Sequence, residues 1–378
     1  MPSDKPTTRH RPGEIEVLSQ RALNRALLAR QMLLGREARR ALDVIDFLVG
    51  LQAQVPRDPY LALGSRIEGF DPAEVERLIL AKQVARSPLL RTTIHLATAR
   101  DCLAIRPLME PILRRTMQGA FGKRLAGADL EALAGEGHAL LDGEPRTFAQ
   151  LRTLLRDRWA QSDDGQALSY SISYLVPLVQ VPPRGLWNKT NQPTWQTTER
   201  YFGKPLAKRP SLGDLVMRYF AAFGPATVND VQAWCCLTKL AEVVDRLRPR
   251  LVTFRDEQGH ELFDVPDAPR PDPSTPAPVR FLPQYDNVFL GHADRSRLSS
   301  EKYPLPPPPA TEWVSPLFLE GYIAGWWKLA QDRKAATLKV IPSGGWTKRD
   351  RTAVEREGWL ALGFLAGGAD TREVVFEG

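Results

Sequence analysis

The stretch from 211 to 265, SLGDLVMRYFAAFGPATVNDVQAWCCLTKLAEVVDRLRPRLVTFRDEQGHELFDV, leaves few choices of fold. A first amphipathic helix stops at Gly224-Pro225, and Thr227 caps the start of a second. TKLAEVVDRLRP has the period of a third helix. LVTFRDEQGHELFDV alternates on both sides of a turn near EQG, the signature of a hairpin. Three helices followed by a two-stranded wing is the order of a winged helix-turn-helix, whose third helix is the one able to enter a DNA groove.

The same order recurs twice upstream. SQRALNRALLARQMLL carries an apolar stripe after Ser19, a cap residue. ARRALDVIDFLVGLQ reads as a second helix ending near Gln54, because Pro56 disfavours helix at the residue before it. DPAEVERLILAKQVARS reads as a third, with Asp71 as cap and Pro72 at its first position. LLRTTIHLA then turns β-branched and extended. Further on, RTFAQLRTLLRDRW and SYSISYLVPLVQVPP give two more helices and an extended piece. Repetition at this scale predicts three tandem units, at 14–125, 126–207 and 208–266, preceded by a loose tail at 1–13. A proline-rich linker at 267–280 leads to an α+β region at 281–378, with alternating strands, a helix over KRDRTAVEREGWLALGFL and a last strand in TREVVFEG. The predicted class is α+β, mainly α.

A chain of 378 residues with 43% hydrophobic and 25% charged residues is ordinary for a globular protein of several modules. Its net charge of +7 points to a polyanionic partner, although arginine-rich coding in high-GC genomes produces the same excess. Three cysteines, two of them adjacent, make no disulfide framework, and the five histidines have no metal-ligand spacing. No metal and no cofactor is expected. The polar N-terminus and the lack of a long apolar run predict no membrane partner. The protein is expected to be a cytoplasmic, nucleoid-associated monomer.

Four stretches in order carry a resemblance: LQAQVPRDPYLALGSRI, RTTIHLATARD, GPATVNDVQAW…RLRPRL and LPQYDNVFLGHADRSR. Together they resemble the winged-helix DNA glycosylases of the YcaQ/AlkZ type over nearly the whole chain. The resemblance implies three winged-helix units around a concave channel and a β-rich C-terminal part. It implies that Gln52 and Gln54 match the family's catalytic Gln-x-Gln motif; the other branch of the family has an acid in the second place. The AlkZ-like branch removes bulky N7-alkylguanine from double-stranded DNA, and some members unhook interstrand crosslinks. Repair or self-resistance to a genotoxic natural product, by a monofunctional enzyme that leaves an abasic site, is the implied activity.

Two amides suit that reaction. Glycoside hydrolysis ordinarily takes two carboxyl groups. A 7-alkylguanine already carries a positive charge and departs neutral, so no acid is needed. What remains is to place a water near C1′ and to favour a developing positive charge, which an amide oxygen does through its dipole. In an extended segment, residues two apart share a face; in a helix they do not. The plainer alternative is that Gln52 caps a helix end and Gln54 is solvated. The resemblance also brings Arg57, Arg91, Thr93, His95, His292, Asp294, Arg295 and Arg297 forward as DNA contacts. Three of these have a plain alternative: an isolated surface arginine at 57, a backbone-bonded histidine at 95, and an Asp–Arg pair fixing a turn in GHADRSR. Asp286 and Asn287 read as supporting polar groups, and Trp187 as a core residue more than a base-stacking one. A non-enzymatic winged-helix regulator is the alternative function; it leaves Gln-x-Gln unexplained. A small-molecule hydrolase finds no nucleophile or phosphate-binding motif.

Overall fold

The computed structural model describes residues 15–156, 159, 164–307, 313–332 and 334–377. The tail expected at 1–13 lies outside them. The fold is 44% helical and 19% strand, which makes it α+β with helix dominant.

Segment 211–265 folds as three helices and a hairpin. Helix Leu212–Phe223 starts at Ser211, whose side chain accepts the Asp214 N–H. Helix Val228–Cys235 is held by a reciprocal capping box between Thr227 and Asp230. Helix Ala241–Leu247 follows. Strands Val252–Asp256 and Glu261–Asp264 then pair antiparallel. The N-terminal strand Val17–Leu18 adds to this hairpin in parallel, so the start of the chain is anchored on its third quarter.

The second sheet positions the candidate site. Its order is Leu51–Gln52, Ile94–Thr98, Val84–Pro88, Leu178–Val181 and Thr194–Thr197, antiparallel throughout. The strands of the 126–207 segment therefore extend the sheet begun by the first segment, with Arg86 opposite Gln180 at the junction. The helix expected over DPAEVERLILAKQVARS includes Val84 to Ser87, which instead belong to the strand Val84–Pro88. Helix Pro72–Leu80 ends before them, Lys82 takes a positive φ of 55°, and all five residues are buried at the centre of the sheet.

The C-terminal sheet runs Thr371–Phe376, Ala335–Pro342, Tyr322–Gln331, Ser315–Leu319, Arg280–Phe281. It is antiparallel except at its edge. Strand Thr371–Phe376 joins in parallel, which requires a crossover, and helix Lys348–Leu365 supplies it.

Two buried bidentate ion pairs tie distant segments together. Arg30 donates to both oxygens of Asp264 at 2.7 Å, and Arg66 donates to Asp286 at 2.7 and 2.9 Å. All four side chains are fully buried. Arg66–Asp286 clamps the C-terminal region to the turn after helix Asp58–Gly64.

Candidate active site

Two residues in left-handed backbone conformation break the helix before the glutamines. Helix Ala41–Phe47 ends well short of Gln54, and Val49 and Gly50 take φ of 58° and 87°. The expectation that Pro56 stops this helix is thus corrected. Gly50 has the positive φ that glycine alone adopts freely, and an added Cβ would lie 3.2 Å from the Leu96 carbonyl. The turn is also held from afar: the Asn287 side-chain amide donates to the Gly50 carbonyl at 2.8 Å.

The chain then runs extended. Leu51 pairs with Leu96 and Gln52 with His95, and the Ala53 N–H donates to Ile94 O at 2.7 Å. Gln54 continues the contact, its Oε1 accepting from the Ile94 N–H at 3.3 Å. The two amides differ in setting. Gln52 is 6% exposed, whereas Gln54 is exposed at the rim of a cleft of about 400 Å³ that Gln52 does not line.

Arg91 joins the predicted residues. It and Thr92 hold φ of 55° and 57°, conformations that cost about 1 kcal/mol or more each in residues other than glycine. The strain is offset by three contacts of one guanidinium. Nη1 donates to Trp234 O at 2.8 Å, and Nη2 donates to Gln52 Oε1 at 2.8 Å and contacts His95 Nε2 at 3.2 Å. His95 Nδ1 lies 3.0 Å from the Thr93 carbonyl, which can only accept, so Nδ1 carries the proton and Nε2 faces the arginine as an acceptor. Burial and the adjacent Arg91 charge push the His95 pKa down to about 3, so the ring is neutral at any working pH. The Thr93 hydroxyl donates to Leu90 O and is spent on the local turn.

The other predicted contacts are placed differently. His292 is buried with Nε2 3.0 Å from Phe223 O, and burial lowers its pKa to about 3. Arg297 is buried and donates to Pro225 O at 3.0 Å. These two side chains satisfy carbonyls at the end of helix Leu212–Phe223, where backbone acceptors lack partners. They fix the loop from inside, and their expected role as exposed phosphate grips is replaced by this one. Asp294 accepts from the Ser296 N–H and hydroxyl, as in a turn-fixing aspartate. Arg295 lies 4.3 Å over the Phe289 ring and is half-buried. Arg57 donates to Leu365 O at 2.6 Å and sits over Trp187, which packs against Tyr60 and Phe364. Trp187 is half-buried and covers the core.

Sequence reasoning missed Asp58. It is buried four residues beyond Gln54, with Oδ2 unpartnered and a backbone N–H bond from Tyr285. Burial, then the Asp286 charge, raises its pKa from 3.8 to about 7. The folded protein thus holds a proton that the unfolded chain releases between about pH 4 and 7, and stability falls as pH rises through that window. Asp58→Asn will remove this fall. Urea titrations at pH 5 and 8 will show the wild type losing stability relative to the variant, with roughly 3 kcal/mol as a ceiling for that interval. Equal pH dependence of both proteins would show that Asp58 does not titrate this way.

The stretch thus carries an exposed amide at a cleft, Gln54, and a second amide, Gln52, tethered by Arg91 beside a neutral histidine. A family model described as DNA glycosylase AlkZ-like matches residues 45–364. A curated relative, the interstrand DNA cross-link repair glycosylase of Streptomyces sahachiroi, is 25% identical over 356 residues, covering 87% of this chain and 92% of the relative. The solved structure of Streptomyces sahachiroi DNA glycosylase AlkZ superposes with a TM-score of 0.71 at 22% identity, over 96% of this chain and 100% of that one. The chain belongs to the AlkZ-like DNA glycosylase family and is a hydrolase of N-glycosidic bonds. The regulator reading falls with this. Among the described residues no helix is long and apolar enough to cross a membrane.

Proposed function

We propose that this enzyme excises N7-alkylated, cationic guanine from duplex DNA, including bulky and crosslinked adducts, and leaves an abasic site. Tandem winged-helix units frame the substrate. The observation that carries the reading is the make-up of the cluster: Gln52, Gln54, Arg91 and a neutral His95, with no acid among them. Such a cluster has no proton to give a leaving base, so it suits bases that depart without one. Gln54, the exposed amide, holds the attacking water and faces the positive charge developing at C1′. Gln52 is oriented by Arg91, whose bond to Oε1 leaves the Gln52 amide N–H groups to reach the substrate. Arg91 and His95 are positioning residues, and Arg295 meets the DNA backbone. No lysine stands in the motif, so no Schiff base forms and no lyase step follows.

The test is incubation with duplex DNA containing 7-methylguanine or a bulky N7 adduct, then alkali and a search for strand cleavage at the lesion. Single-turnover excision is expected to be flat from pH 6 to 8, because neither glutamine nor the His95 ring titrates there. Asp58 supplies the one alternative. An inflection near pH 7 that Asp58→Asn abolishes would assign the proton transfer to that carboxyl instead. Absence of excision on both substrates would overturn the proposal.

A further inference from the structure

The cleft beside Gln54 contains a charge that the proposed chemistry does not use. Arg86 sits in a central strand, 3% exposed, and lines the cleft. Its Nε–H donates to Gln180 Oε1 at 2.8 Å, Nη1 has no partner, and no carboxylate lies within ion-pair distance among the described residues. An unpaired buried guanidinium is costly, and a native fold that keeps one has use for it. Arg184 lines the same cleft. It donates to Asn191 O at 2.8 Å, and its Nε is also unpartnered. The two guanidiniums are close enough to repel: burial, then the Arg184 charge, lowers the Arg86 pKa to about 10.

The chain brings these like charges together deliberately. Gly185 has a φ of 95°, and a Cβ on it would stand 2.4 Å from Arg86 Cδ, so only glycine lets the turn carrying Arg184 close on Arg86. Among the described residues lining the cleft there is no aspartate or glutamate; besides arginines, its polar groups are amides and hydroxyls such as Gln166, Ser169 and Ser173. A cationic alkylguanine is repelled from such a place. An oxyanion is attracted to it, and guanidinium N–H groups match phosphate oxygens in geometry as well as charge.

We propose that this cleft is a phosphate subsite, in which Arg86 and Arg184 seat a backbone phosphate of the DNA next to the lesion. The inference rests on the reading that Gln54 faces the damaged strand. Seating the phosphate beside Gln54 would set the register of the sugar against the water-holding amide, a positioning role with no part in bond breaking.

Binding of lesion-free duplex DNA, measured by fluorescence anisotropy between about 50 and 200 mM salt, tests it. Arg184→Gln and Arg86→Gln will each lower the slope of log affinity against log salt by about one. A purely structural Arg86, bonding strand to strand through Gln180, predicts an unchanged slope and a lowered thermal midpoint. Should Arg86→Gln fail to fold, Arg184→Gln decides alone, since Arg184 lies on a half-buried turn. Unchanged slopes in the folded variants overturn the proposal. So does stabilisation by inorganic phosphate at constant ionic strength with no change in DNA slope, which would assign the cleft to a free anion. Slopes are read without excision, so lowered slopes in an enzyme inactive on alkylated DNA would keep the subsite and sink only the proposed reaction.

Discussion

Gln54→Ala will lower excision of 7-methylguanine from duplex DNA by about a hundredfold, the scale of removing one preorganised dipole from a reacting centre. The fold will not change measurably. The side chain is exposed and gives up a single bond at 3.3 Å, from the Ile94 N–H. Gln54→Glu keeps an acceptor at the same place and will retain most of the rate at neutral pH. Gln52→Ala will act in the same direction for a different reason. It releases the Arg91 guanidinium, held in strained backbone by bonds to Gln52 and Trp234, and so loosens the cluster as well as deleting an amide. Single-turnover rates separate the two, since Gln54→Ala should change the chemical step with DNA affinity intact. Undiminished excision by both variants would remove the assignment and leave the enzyme class standing.

The largest stability effect is expected at the other end of the sequence. Asp286→Ala leaves Arg66 fully buried without its counter-charge, which costs roughly 3–5 kcal/mol. The variant also loses the cap that Asp286 gives to the Val288 N–H. A urea titration will show a lower midpoint with the slope kept. Arg66→Met combined with Asp286→Leu will recover much of the loss, because an apolar pair of similar size needs no desolvated charge. If the single variant matches wild type, the clamp is not what holds the C-terminal region in place. Activity should fall alongside stability: the neighbour of Asp286 is Asn287, whose amide pins the Gly50 carbonyl two residues before Gln52.

That link shows why some of the site was legible and some not. The segment 211–265 could be read directly, because its signals are local: Ser211 and Thr227 as caps, Gly224-Pro225 as a stop, and alternation through the hairpin. The Gln-x-Gln pattern and its extended backbone were also legible, though not the cause. The break comes at Val49 and Gly50 and is held by a side chain distant in sequence, which no local propensity reveals. GHADRSR misled in the opposite way. A run rich in charge suggests a solvated loop, yet His292 and Arg297 turn inward to satisfy carbonyls at the end of a helix. Arg86 could not have been singled out at all. In VARSP it is one arginine among many, and it becomes distinctive only once Gln180 and Arg184 are brought beside it by strand pairing.

Strand pairing has one more effect. The sheet that carries Gln52 is continuous through Arg86 and Gln180 into Thr194–Thr197, so the strand residues that line the cleft belong to a single hydrogen-bonded slab. A slab of this kind does not open and shut like a jaw. On the proposed substrate, the bending and unstacking needed to bring C1′ to Gln54 then fall to the DNA. Sites already weakened by alkylation are cheaper to deform than intact duplex. Damage would thus be found by its mechanical softness before any atom of the adduct is recognised.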